Sequence, residues 1–371
     1  MKKIIIMLIS IFLLSGCADY VEINDLAIIS GIAIDYENDL YKLTAQLIEN
    51  DKESKVVVLT TASSSIDEAM SEISKLSNKE LFISHLKVLI LSDRLIKENK
   101  DFYDYFLRSS KSKMNFYTYI ASKDEISSIF KIYSDKNSSS IYLDKMMDFN
   151  QNIFSSSTPL KFIDMIYNKY EYGINNVYPT ITIKKNNDEE TLYLGNLVSF
   201  NSKLNKLTFS EKESIFYNII TNNSQKTTLD IPCGNKLFTI EVQDIKTKFN
   251  WNKNVFTIST KSLGKLKEYN CNYNLNSKET TNKLNKLTND YIKNNINNLI
   301  NKMKKNNNDF IGIGNYIYKR NKNYFDFKNK NWDDNLKNIN IKVKSNTKIN
   351  SSGEIRKWKI MKKQIVFLYQ H

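Results

Sequence analysis

"AIISGIAIDYENDLYKLTAQL" (27–47) decides how this chain begins to fold. Ala27 to Ile34 is β-branched and apolar, broken only by Ser30-Gly31, and stops at Asp35. Tyr36 to Asp39 supplies a polar turn, after which Tyr41, Leu43, Ala45 and Leu47 alternate with polar residues. Apolar runs separated by a short polar turn, the second in strict alternation, predict a β-hairpin with one buried face.

Working outward, Val56 to Thr60 reads as a further strand. Ser65-Ile66-Asp67-Glu68 has the form of a capping box, and Ile66, Ala69, Met70, Ile73 and Leu76 follow at helical spacing. "LFISHLKVLIL" (81–91) is almost continuously apolar, as a central strand covered on both faces would be. Helical patterns are expected around Phe102 to Leu107 and Ile126 to Tyr133, separated by a strand from Asn115 to Ala121. Thr158-Pro159 looks like a helix start, with Phe162, Ile163, Ile166 and Tyr170 as its inner stripe. Thr180 to Lys184 is a short strand running into the charged stretch "KKNNDEE" (184–190), the candidate domain boundary.

The second half repeats this mixture. Leu192 to Phe200 and Lys203 to Phe209 suggest a hairpin around Asn201-Ser202, and Ser210-Glu211-Lys212-Glu213 a second capping box. Strands are expected at Lys236 to Gln243, Val255 to Lys261 and Ile339 to Val343. Leu284, Leu287, Tyr291, Ile296, Leu299, Ile300 and Met303 mark one long amphipathic helix. Intermixed strands and helices predict an α+β fold: several mixed α/β domains, each a mostly antiparallel or mixed sheet with packed helices.

Upstream of the hairpin, Met1-Lys2-Lys3 is followed by Ile4 to Leu14, apolar except for Ser10, and then by Ser15-Gly16-Cys17. This is the layout of a secretory signal peptide. As a helix the apolar run reaches only ~17 Å, short of the ~20 residues that cross a bilayer. Leu14-Ser15-Gly16-Cys17 resembles a bacterial lipobox, which makes Cys17 the expected site of diacylglyceryl attachment and residues 1–16 the segment removed.

The net charge is +14, becoming +12 without Lys2 and Lys3, and 41% of residues are hydrophobic. The positive charge is nearly all lysine, the arginines being Arg94, Arg108, Arg320 and Arg356. Base-edge and phosphate recognition leans on the guanidinium fork, so a nucleic-acid partner is not expected. A diffuse basic surface near anionic lipid headgroups fits better. Cys233 and Cys271 are left open between a disulfide and two buried thiols.

Catalytic patterns are missing. The two histidines are His85, within the apolar strand and read as a core residue, and His371 at the end of the chain. That leaves no imidazole metal site, no metal ligands and no cofactor to expect. Gly312-Ile313-Gly314 has two glycines of a dinucleotide loop, but it follows a helix and has Ile317 at the third glycine's place, so a helix-ending turn explains it. Asp19, Glu22 and Asp25 are acidic, but acids are too common for their proximity to mark a hydrolase. No catalytic residues are assigned.

In this order, Cys17, Asp19, Glu22-Ile23, Leu26-Ala27, Gly31-Ile32 and Ile34-Asp35 resemble the start of the Ger(x)C family, the C-type lipoprotein subunits of spore germinant receptors. "LFISHLKVLIL" (81–91), Phe106-Leu107-Arg108, "LTFSEKES" (207–214), "DFIGIGNYIYKR" (309–320) and "NWDD" (331–334) continue the resemblance to about residue 355. Ala18, Tyr20 and Val21 depart from the Trp and basic residues usual after the family's cysteine, and Ser109-Ser110 replaces an Asp-Pro. The resemblance implies a non-enzymatic, lipid-anchored subunit on the outer face of the spore inner membrane. Its implied partners are integral-membrane A-type and B-type subunits, besides the membrane lipid held through Cys17. A solute-binding lipoprotein feeding a transporter is the alternative.

The expected organisation is a signal peptide (1–16), an N-terminal α/β region (17–190, divisible at about 122), a C-terminal α/β domain (191–355) and a basic aromatic tail (356–371). The tail reads either as a membrane-surface contact or as a loosely ordered end.

Overall fold

A computed structural model describes residues 25–50, 54–133, 138–187, 189–275, 277–321 and 332–351. The signal peptide, Cys17, Asp19, Glu22, the tail and His371 lie outside the described residues. The predicted hairpin forms from β1 (Leu26–Glu37) and β2 (Leu40–Asn50). Glu37 pairs with Leu40, so the loop is the two residues Asn38 and Asp39, both at positive φ (52° and 60°). Two-residue turns of this hand match the twist of the strands, and Asn and Asp tolerate the conformation.

β3 (Ser54–Ser63) extends the hairpin antiparallel, while β4 (Glu80–Phe82), β5 (Val88–Ser92) and β6 (Tyr117–Ala121) run parallel to β1 and to one another. The order is β3-β2-β1-β5-β6, with β4 also on β1. Both faces are covered. One packs on α1 (Ile66–Ser77), the single turns α2 (Asp93–Lys97) and α3 (Asp104–Arg108), and a core that includes Phe106, Phe116 and Phe162. The other packs on α4 (Ser139–Ile153) through Leu143 and Met147, together with Phe130.

Several expectations are corrected. Residues 81–91 do not form one strand: β4 and β5 are separated by a 3-10 turn at Ile83–His85, which leaves His85 exposed instead of in the core. β1 causes the break. Its register shifts between Ile29 and Gly31, and the Ser30 carbonyl in that bulge takes the Lys87 N–H at 2.9 Å. The pattern at 126–133 gives only a 3-10 turn, Ile129–Lys131. α4 has no counterpart in the sequence reading, because its apolar residues do not keep to one face: Leu143 and Met147 are buried while Tyr142, Phe149 and Ile153 are exposed. Thr158-Pro159 does not start a helix: Leu160 and Lys161 lie extended along β6, where Thr118 N–H donates to the Leu160 carbonyl at 2.7 Å. α5 (Phe162–Tyr170) follows, burying Phe162, Met165 and Ile166 but exposing Ile163 and Tyr170.

The stretch at 184–190 sits at the tip of a hairpin, β8 (Ile181–Asn186) with β9 (Glu189–Leu194). Leu192–Phe200 is therefore not one strand. β10 (Val198–Phe200) belongs instead to a small sheet, between β7 (Val177–Tyr178) and β11 (Lys206–Thr208). The C-terminal sheet runs β12 (Lys226–Cys233), β13 (Lys236–Asn252), β14 (Val255–Tyr269) and β15 (Asn340–Ser351), with β15 parallel to β14. α6 (Glu211–Thr221) opens with the complete capping box of Ser210 and Glu213. At Ser65 the box is partial: its hydroxyl caps Glu68 N–H, but the Glu68 carboxylate reaches Ser64.

The long helix α7 (Lys278–Lys305) lies along the sheet and buries Leu284, Ile292, Ile296, Leu299 and Met303. Its asparagines have a defined task. Asn289 Oδ1 accepts the Thr347 N–H at 2.6 Å and Asn285 Oδ1 the Ile349 N–H at 2.8 Å. β15 is an edge strand, and an edge left with bare N–H groups invites pairing with another chain. The helix closes it.

Candidate functional site

A cleft of about 370 Å³ lies between the loop after α2 and the segment joining α5 to β7. Leu95, Ile96 and Phe102 line one wall, Tyr172 to Asn176 the other, and Trp332 closes an end. Phe102 and Tyr103 are held in the N-terminal core. Tyr103 donates to Asp101 at 2.7 Å and receives the Tyr170 hydroxyl at 3.2 Å, while the Lys169 ammonium lies 4.4 Å from its ring centroid. Burial, then Tyr170 and Asp101, raises the Tyr103 phenol well above its usual range, so it remains a neutral donor.

The back of the cleft is a strap, residues 171–176, stitched to the C-terminal domain. Asn175 exchanges bonds with the Asp309 backbone: its side-chain oxygen accepts the Asp309 N–H at 2.7 Å, and its own N–H donates to the Asp309 carbonyl at 2.9 Å. Asn315 N–H donates to the Gly173 carbonyl at 2.9 Å, and its side-chain amide to Glu171 at 2.7 Å. The two backbones nearly touch here. A Cβ on Gly173 would fall 2.6 Å from Gly314 Cα, and one on Gly314 would fall 2.4 Å from the Trp332 ring.

Asp309 organises this junction. It is fully buried, and its carboxylate accepts four N–H groups: Gly312 and Ile313 on Oδ1 at 2.9 Å each, Gly314 and the Trp332 indole on Oδ2 at 2.7 Å each. The three backbone donors open α8 (Ile313–Arg320), so the charge also sits at the favourable end of that helix. Burial nevertheless outweighs the donors and pushes the Asp309 pKa from 3.8 up to about 6. Gly312-Ile313-Gly314 thus starts a helix, where a helix-ending turn was expected. Gly312, at φ 79°, takes the left-handed conformation that lets three consecutive N–H groups converge on one carboxylate.

A second charged cluster braces the N-terminal sheet. Arg94 Nη2 donates to Asp35 at 2.6 Å, its Nε to the same carboxylate at 3.2 Å, and Nη1 to Glu37 at 2.5 Å. Burial alone would raise Asp35, but Arg94, Ser92 and the Tyr36 N–H together hold it below 3.8. Cys233 and Cys271 form a disulfide with Cα atoms 6.0 Å apart, resolving the question left open above. Asp25 is described and exposed. Among the described residues no three His, Cys, Asp or Glu side chains gather as metal ligands, and no helix is long and apolar enough to cross a membrane.

Asp309, Asn175 and the strap were missed in the sequence. No capping pattern marks Asp309, because the N-cap position is Gly312, which has no side chain to cap with. Nothing local announced its burial or its partner Trp332.

What the fold and site define is a two-part α+β protein whose halves are locked through a buried carboxylate beside an aromatic cleft. Residues 19–183 match the family model described as "Spore germination protein N-terminal domain", and residues 197–353 that described as "Spore germination B3/ GerAC like, C-terminal". The chain is 24% identical over 390 residues to spore germination protein KC of Bacillus subtilis (strain 168), covering 94% of this chain and 95% of that protein. Spore germination protein B3 of the same organism is 31% identical over 126 residues, 31% of this chain and 33% of that protein. A solved structure, "Crystal Structure of the GerBC protein", shares the fold with a TM-score of 0.55 and 18% identity, over 86% of this chain and 97% of that one. The chain belongs to the Ger(x)C family of spore germination proteins.

Proposed function

We propose that this chain is a non-enzymatic lipoprotein subunit of a nutrient germinant receptor, tethered by a diacylglyceryl group on Cys17 to the outer face of the spore inner membrane. Integral-membrane A-type and B-type subunits would be its partners. The observation that carries this reading is the order of the matches: the two spore-germination domains follow one another from residue 19 to residue 353, starting two residues after the lipobox cysteine. Each buried acyl methylene contributes ~0.8 kcal/mol, so two chains on one sulfur hold a protein at a bilayer. Confinement to that surface raises the effective concentration beside membrane-embedded partners.

The cleft is the observation in favour of the alternative, a solute-binding lipoprotein. Against it, the flanking sheets differ in kind, one with parallel strands at its centre and one mostly antiparallel, so the cleft is not framed by two similar lobes. Spores carrying Cys17→Ala test the proposal. The protein is expected to leave the membrane fraction and nutrient germination to slow severely. Unchanged membrane retention together with unchanged germination would refute it.

A further inference from the structure

The C-terminal sheet has one face under α6 and α7 and the other open to solvent. Alternation along each strand sorts its residues between the two. Phe256, Ile258 and Val343 point into the core, while Lys261, Lys265, Lys342, Lys344 and Lys348, at the other positions, are exposed. The register of β13, β14 and β15 then lays out the open face rung by rung. Asn250, Thr257 and Lys342 stand side by side, followed by Lys248, Ser259 and Lys344. Next come Lys246, Lys261 and Asn346, then Gln243, Leu263 and Lys348, and then Glu241 beside Lys265. Every rung carries a lysine, over about 26 Å along the strands and about 10 Å across them.

These charges have little to neutralise them within the fold. Lys246 and Lys261 are direct cross-strand partners. Like charges so placed destabilise a sheet, a cost that mere solubility would not require. Glu241, the one carboxylate on these rungs, is already engaged by Lys226 at 3.0 Å and Lys267 at 3.7 Å. Asp244 is exposed in the bulge of β13, between Gln243 and Lys246. Among the described residues, no carboxylate comes within 4.0 Å of Lys246, Lys248, Lys261, Lys265, Lys342, Lys344 or Lys348. Further acids on these strands come past the fifth rung, at Asp230 and Glu268, both opposite Thr239.

We propose that this face lies against an anionic phospholipid surface, a contact with the membrane additional to the tether. The charge is complementary, and the residue types choose between lipid and protein. The five rungs hold no Trp, Tyr or Arg, which anchor protein interfaces, and lysine is depleted from the cores of such interfaces. Lysine is a compact, strongly hydrated charge, and a headgroup layer attracts such charges through its surface potential without specific pairing. The inference rests on the lipoprotein reading for the presence of a bilayer, and adds which side of the molecule faces it.

The test is co-sedimentation of the unlipidated chain, residues 18–371, with vesicles of phosphatidylcholine alone or of equimolar phosphatidylcholine and phosphatidylglycerol. Binding to the anionic vesicles only, lost in 1 M salt where the screening length falls to about 3 Å, is the expected result. Lys342→Gln/Lys344→Gln/Lys348→Gln should weaken it about a hundredfold, at about fivefold per lysine. Lys278→Gln/Lys286→Gln/Lys293→Gln removes the same charge from α7, across the sheet, and should bind as the wild type does. Unchanged thermal midpoints would show both variants folded, since all six lysines are exposed. Three results would overturn the proposal: no binding to the anionic vesicles, equal losses in the two triple variants, or binding to polyglutamate without binding to vesicles, which would assign an acidic protein instead. Because the chain tested has no lipid, a negative result leaves the Cys17 tether standing, and failure of the Cys17→Ala experiment leaves this one intact.

Discussion

Replacing Asp309 separates two opposed energies within one residue. Asp309→Ala strands four buried N–H groups, at about 1–3 kcal/mol each, or about 8 kcal/mol at the middle of that range. The same change removes a buried charge, and the rise in pKa from 3.8 to about 6 sets that cost near 3 kcal/mol above pH 6. A net loss of about 5 kcal/mol is expected. Asp309→Asn keeps one acceptor oxygen, so it strands two donors while also shedding the charge, for a net loss of about 1 kcal/mol. The pH dependence supplies an internal control. An acid whose pKa is raised on folding binds its proton more tightly in the native state. Between pH 6 and 3.8 the wild type should therefore gain on Asp309→Asn as the pH falls, by up to about 3 kcal/mol. Urea unfolding of the three proteins from pH 7 to pH 4, followed by Trp fluorescence, measures all of this. Equal losses for the two variants, or a wild-type difference flat with pH, would refute the reasoning.

Other perturbations have simpler signs. Removing the Cys233–Cys271 bond opens a loop closed across 38 residues, and the chain-entropy relation then gives a loss of about 4 kcal/mol, read as a lower denaturation midpoint of Cys233→Ala/Cys271→Ala. Dithiothreitol should reproduce the shift in the wild type and leave the double variant unmoved. Arg94→Met leaves the buried Asp35 carboxylate without its cation and should cost about 3–5 kcal/mol, with much of it recovered in Asp35→Asn/Arg94→Met. Because Asp35 is held below 3.8 in the folded protein, its contribution is present above that pH and is lost on acidification through the lower folded value. The Arg94→Met deficit should shrink over the same acid range, and a constant deficit would count against this account.

Much of the scaffold was legible because its signals are local. The Asn38-Asp39 turn, the capping at Ser210 and the apolar spacing along α7 each depend on a few neighbouring residues. So does the succession of strands and helices that makes the fold α+β. Where reading failed, a distant partner had decided. Residues 81–91 are apolar enough for one strand, but the bulge at Ser30 in β1 divides them. Leu160 and Lys161 follow a helix-starting Thr-Pro, but the open edge of β6 takes their backbone first.

The chain alone determined the mixed α+β character, since composition and short-range spacing contain it. The tertiary structure alone decided that Asp309 would be buried beneath Trp332, that Cys233 would meet Cys271, and that lysines of β13, β14 and β15 would share one open face. The reason is that burial and charge pairing are properties of neighbours in space, and these neighbours are far apart along the chain.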